Sequence, residues 1–326
     1  MKIFGLNLED NLFIPGFSSA LNDLRRTALE KLENIIIEKS EKSLKNVEYK
    51  KFSSNIKTNN TKNISILLNT ISENMDYSSL TGVSQVYIPF KYYLDTKYST
   101  ILSEIENKFN TYIYMPIIMR QKTVNVFNQN VENILKAHKI LGFVISNLSD
   151  VSIVSKYNLE VIGNYTLNVF NTNTIKELEN LGMQKYTASP ELDKQTLNNL
   201  FMYNENISSE MIVYERTPLM TSNYCLLGKS NKCYSKCSSN CNSSKHYLKD
   251  RMNFKFPVYP DNLGTITTIY NSKITCIPSN DVYPNSYRVD ILDENLEEIQ
   301  NIIDTVLSGN RLEGQDYTNG NLGRIV

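Results

Sequence analysis

Apolar and polar positions alternate along this chain in a beat that sets in near residue 63. Ile64 to Leu68 is a short apolar run, and Val83 to Phe90 is a second. Tyr112 to Ile118, Gly142 to Ser146 and Leu159 to Ile162 follow, the last leading into Thr166 to Phe170. Met183 to Ser189, Glu210 to Tyr214 and Ser286 to Leu292 complete the set. Between them lie stretches whose apolar residues recur at helical spacing. These predict helices up to Leu80, over 98–109, 126–141, 150–156, 174–181 and 192–202, and finally over 294–307 with Leu296, Ile299, Ile302, Ile303 and Val306 on one stripe. Strands that read as continuous apolar runs belong to parallel sheets covered on both faces. Eight strand–helix units over 63–309 predict an α/β fold, a (β/α)8 TIM-like barrel. An open doubly wound sheet is the rival, but the chain has no G-x-G-x-x-G or G-x-x-x-x-G-K-[ST] turn.

Residues 1–62 stand apart as an N-terminal helical segment and linker. Leu21, Leu24, Ala28, Leu32 and Ile35 keep helical spacing, Ser18 or Ser19 is placed to cap, and 40–62 is rich in Lys, Asn and Ser. The last stretch, 310–326, reads as a tail. The beat is interrupted once, by residues 217–285. Leaving the seventh strand, this insertion would sit at the C-terminal mouth of a barrel, where active sites are built.

The insertion carries the densest chemistry. Cys225, Cys233, Cys237 and Cys241 fall in a short segment rich in Gly, Ser, Asn and Lys, and Cys276 follows further on. Such a loop buries little, so packing does not account for four thiols. The opening residues lack a secretory apolar core and no run approaches membrane-spanning length, so the chain reads as cytoplasmic, with no membrane partner. There, clustered cysteines serve metals or catalysis rather than disulfides. The spacing admits an iron–sulfur cluster, zinc or reactive thiols; the paired C-x2-C knuckles of a zinc ribbon are absent, and the irregular spacing fits a cluster better. Lys229, Lys232, Lys236 and Lys245 offset thiolate charge or are simply solvated.

Composition narrows the remaining chemistry. The 326 residues are 41% hydrophobic and 21% charged, which supports a large core. Lys plus Arg and Asp plus Glu are both 34, so any RNA contact needs a local patch. His138 and His246 are the only histidines, and no H-E-x-x-H occurs, so hydrolytic machinery of the usual kinds is poorly supplied. Other candidates lie at predicted strand ends. Arg216 follows Glu215 after strand seven and suits an anionic substrate or a neighbouring carboxylate. Glu191, after strand six, suits acid–base work or a helix cap. Asp250 and Arg251 suit substrate contact or a mutual ion pair. Asn164, Asn168 and Asn171 follow strand five.

Val213 to Met220 followed by Cys225 and Cys233, then Tyr247-Leu-Lys-Asp-Arg251, Phe256-Pro-Val258 and Ile269-Tyr-Asn-Ser272, resembles the collagenase-like peptidase family of unknown catalytic type. Asn168 to Asn171, Ser189 to Leu192 and Tyr317-Thr318 with Gly320 also match its pattern, and Leu21 to Arg26 is similar to a segment before the second barrel of long clostridial-type members. The resemblance implies a barrel and four cysteines holding a 4Fe–4S cluster. It also implies a part in oxygen-independent hydroxylation of an RNA base in tRNA or 23S rRNA, or alternatively a collagenase-like peptidase, or a non-catalytic zinc-binding partner subunit. A homologous subunit would supply the other half. The family's further cysteine falls near Thr265, leaving Cys241 or Cys276 as the fourth ligand; its Tyr-Gly-Arg appears as Tyr214-Glu215-Arg216, and its terminal His as Asn321.

Overall fold

A computed structural model of the chain describes residues 17–40, 62–202, 206–228, 233 and 245–323. The chain divides into two compact units, residues 1–51 and 52–326. In the first, helix α1 (Phe17–Ser40) holds the predicted apolar stripe, with Leu21, Leu24, Leu32 and Ile35 exposed.

The second unit is a closed barrel of eight parallel strands. They are β1 (Asn63–Leu68), β2 (Gln85–Pro89), β3 (Asn110–Tyr114), β4 (Ile140–Ile145), β5 (Glu160–Gly163), β6 (Lys185–Thr187), β7 (Ser208–Glu215) and, after an insertion, β13 (Ser286–Ile291). β13 pairs with both β1 and β7, which closes the ring. Helices α2 (Ser99–Lys108), α3 (Gln121–Ala137), α4 (Ser149–Val154), α5 (Thr172–Asn180), α6 (Lys194–Phe201) and α7 (Leu296–Ser308) lie between and after the strands. The TIM-like barrel is therefore the fold of this protein. In α7 the stripe Ile299, Ile302, Ile303 and Val306 is buried, and Asn295 with Glu298 forms a reciprocal capping box at its start. Among the described residues no helix is long and apolar enough to cross a membrane.

Two predicted elements differ. The segment after β1 forms only a 3-10 turn, Tyr77–Ser79, because the Asp76 carboxylate accepts from the Ser78 N–H and competes with helix. Residues 166–170 form no strand: Tyr165–Leu167 is another 3-10 turn, Asn168 takes a left-handed conformation (φ 50°), and Asn171 caps α5.

The insertion folds as a second sheet. Strands β8 (Pro218–Ser222), β9 (His246–Lys249), β10 (Lys255–Asp261) and β11 (Ile266–Tyr270) are antiparallel in the order β8-β11-β10-β9. Strand β12 (Ile274–Cys276) then returns antiparallel to the upper part of β7, and β14 (Tyr317–Thr318) pairs beside it, tying the tail to the barrel.

The two faces of the barrel strands bury different chemistry. Outward residues such as Ile64, Ile66, Ile113, Phe143 and Val289 join the large core under the helices. Inward residues Leu67, Tyr87, Tyr112, Tyr114, Val144 and Ile162 form a separate cluster in the lumen. Period-two alternation produces this split.

Candidate active site at the barrel mouth

The lumen is polar where the strands supply alternate positions. Glu210 of β7 is fully buried and accepts from Ser65 (2.6 Å), Tyr87 (2.7 Å) and Thr187 (2.9 Å), with Lys185 Nζ 3.5 Å away. Burial pushes its carboxyl up, but Lys185, Arg288 and the hydroxyl donors outweigh that and hold it below the usual range. One level higher, Arg288 of β13 is also fully buried. Its Nε and Nη2 grip Asp290 at 2.6 and 2.8 Å, and Nη1 donates to Asn164 Oδ1 at 2.8 Å. The guanidinium lies 5.6 and 5.5 Å from the Tyr87 and Tyr114 ring centres. A planar fork suits this combination of bidentate pairing and ring contact. Asn164 in turn donates to Tyr114 OH (2.7 Å) and Ser146 Oγ (3.1 Å), which fixes its amide.

At the C-terminal mouth, a small pocket of about 20 Å³ is lined by Glu215, Arg216, Asp290, Tyr114, Tyr165 and Tyr270, among others. A register irregularity in β7 puts Glu215 there. Arg288 pairs with Ile212, but Val289 pairs with Tyr214, so one extra β7 residue is accommodated and the alternation shifts phase. The Glu215 side chain is 3% exposed and accepts from Thr217 Oγ1 at 3.0 Å. Burial, reinforced by the Asp290 carboxylate, pushes its carboxyl up to about 7. Asp290 is raised by burial too, against the opposing pull of Arg288. The mouth thus places two carboxyls in one pocket: one gripped by a guanidinium, one poised to exchange a proton near neutrality.

Arg216 sits beside them without an ion pair to either. Its Nη1 donates to the carbonyls of Asn271 (3.3 Å) and Ser272 (2.9 Å), which anchors β7 to the chain after β11, and its buried Nε has no partner among the described residues. The other predicted residues lie apart from this pocket. Glu191 is exposed in the turn before α6, and the cap of that helix is Asp193. Asp250 accepts from the Met252 (2.9 Å) and Phe254 (2.8 Å) N–H groups and shapes the turn between β9 and β10, where Arg251 is exposed. His138 caps α3 and contacts Glu106 at 2.9 Å, and His246 lies in β9.

The described cysteines fall in two settings. Cys225 is exposed, Cys233 is half-buried, and the Cys233 N–H donates to Gly228 O while the Gly228 N–H donates to Cys225 O. Cys237 and Cys241 lie outside the described residues, as do Lys229, Lys232 and Lys236. Lys245 pairs with Asp293 at 2.8 Å, joining the start of β9 to the loop after β13. Cys276, by contrast, is buried in β12, its Sγ accepts from the Leu312 N–H at 3.3 Å, and burial raises its thiol. Cys276 thus sits in a strand as a buried, hydrogen-bonded thiol, whereas Cys225 and Cys233 sit on the loop. Among the described residues, no three His, Cys, Asp or Glu side chains assemble as a ligand group.

Sequence reasoning named Arg216 and Asn164 but passed over Arg288, Asp290, Glu210 and a chemical role for Glu215. Arg288 and Asp290 carried a signal: alternate charged residues inside an otherwise apolar eighth strand mark the inward face of a barrel. No protein-family description matches the chain, and no curated protein matches it.

Proposed function

We propose that this protein is an iron–sulfur enzyme taking part in oxygen-independent hydroxylation of an RNA base, with its reaction centre at the barrel mouth. The observation that carries the reading is Glu215, buried at the end of β7 beside Asp290 and Arg216, with a carboxyl near 7. It sits at the C-terminal face, where this fold does its chemistry, and directly before the strand that leads into the cysteines. Glu215 moves a proton to or from the bound base; Arg288 grips Asp290 and fixes it beside Glu215. The unpartnered Nε of Arg216 offers a donor to an oxygen of the substrate. Glu215 stands where the resembled family has Gly, so this acid–base group is the chain's own.

Cys225, Cys233, Cys237 and Cys241 are the residues that would hold a 4Fe–4S cluster, and the backbone turn that ties Cys233 to Gly228 and Gly228 to Cys225 keeps the first two close along the loop. Cys276 is left out of that set because of its buried setting. Such a cluster supplies one-electron chemistry when bound. The test is mass spectrometry of nucleosides from tRNA and ribosomal RNA of a strain lacking the protein. One hydroxylated nucleoside is expected to vanish, to return with the wild-type chain and to stay absent with Glu215→Gln. Unchanged nucleosides in both RNA pools would refute the reading.

A further inference from the structure

A larger cleft, of about 110 Å³, opens next to the mouth pocket and shares Asn69, Tyr114 and Tyr270 with it. One wall is the inserted sheet, where Tyr259 of β10 and Tyr270 of β11 meet edge to face at 5.8 Å. The end of β2 and the loop after β3 supply Pro89 and Pro116 to the lining. Lys91 and Asp261 are the charged residues of the lining, one of each sign. Proline and tyrosine faces are flat and apolar, and suit stacking. A closed apolar cavity of about 150 Å³ takes up benzene. A cleft of about 110 Å³, open on one side, is of the order that seats one six-membered ring. Its balanced charge gives no hold on a polyanion, so phosphate groups stay outside.

We infer that this cleft is a binding subsite for a single planar six-membered ring, stacked on Tyr259 and edge-on to Tyr270, with its polar edge between Lys91 and Asp261. The ring's other edge points to the mouth pocket. Only that orientation rests on the proposed function; ring binding stands without it. A pyrimidine base and a phenol share the required chemistry, so both serve as probes.

Ligand-observed NMR titration of the full chain with uridine, phenol, adenosine and cyclohexanol tests the subsite. Saturable binding of uridine, phenol or both is expected, at least about fivefold tighter than adenosine or cyclohexanol; which of the two binds names the source of the ring. Tyr259→Ala should weaken that binding about tenfold, on the scale of base–aromatic stacking, and Tyr259→Phe should leave it within about twofold. Thr268→Leu, which narrows the cleft from β11, should also abolish it, so a Tyr259→Ala chain that fails to fold leaves the test intact. Ring binding that persists while the nucleoside test fails overturns only the acid–base reading, and loss of ring binding with nucleosides that respond overturns only this subsite. Equal affinity for adenosine, binding unaffected by Thr268→Leu, or no binding of either single ring would overturn the inference.

Discussion

Glu215 is a protonated acid below neutral pH in the folded chain, while an unfolded glutamate titrates at about 4.3. The folded state therefore binds the extra proton between those values, and the stability this contributes is lost as pH rises through about 7. Thermal melts from pH 5 to 8 should show Glu215→Gln gaining on the wild type as pH rises, by up to about 1.4 kcal/mol per pH unit across the window. Parallel curves would show that Glu215 is ionised throughout. Arg288 makes the opposite kind of contribution. Arg288→Met leaves Asp290 buried and unpaired, at a cost of about 3–5 kcal/mol in urea unfolding, and adding Asp290→Leu should recover much of it. At this scale the sequence was only partly legible. Arg216 is recognisable as a residue at a strand end, but its backbone carbonyl partners come from residues 271 and 272, some fifty positions away. Glu191, Asp250 and Arg251 have residue types that suit chemistry, and only their placement shows them in turns.

Elements were more legible than sites, because a parallel strand buried on both faces leaves an apolar run that needs no partner to be seen. The strands at 64–68, 142–146 and 286–292 stand out in this way. Register does not. In β4, Thr111 pairs with Ile140 but Tyr112 with Gly142, so Leu141 is squeezed outward and is 40% exposed. Gly142 then lies against β5 so closely that an added Cβ would fall 2.1 Å from the Glu160 carbonyl. Gly142→Ala is accordingly expected to lower stability by about 3 kcal/mol, the upper range for overpacking, while Leu141→Ala stays within about 0.5 kcal/mol. Equal melting temperatures for the two variants would contradict this placement. The irregularity in β7 is of the same kind and has greater effect, since without it Glu215 would face the helices. Neither leaves a mark in the hydrophobic pattern. The false strand at 166–170 failed for a related reason: the pattern was apolar, but Asn168 adopts a left-handed turn.

On the scale of the whole molecule, a barrel closed by β13 against β1 and β7 carries a four-stranded sheet over its C-terminal mouth, with Lys245 and Asp293 joining the two. The interruption of the strand–helix beat after residue 216 is what made this arrangement readable in outline, and the cysteines within it gave it a chemical meaning. The burial of Cys276 depends on the third dimension, where β12 folds back onto β7. We propose that the loop thiols hold iron beside the mouth and that Cys276 does not. This is tested most directly by anaerobic purification with iron and sulfide analysis of the wild type, Cys225→Ser and Cys276→Ser. A brown protein with about four irons per chain is expected, with colour lost in Cys225→Ser and kept in Cys276→Ser; a colourless wild-type chain free of iron, or loss of the colour in Cys276→Ser with Cys225→Ser unaffected, would show that the loop thiols do not hold iron.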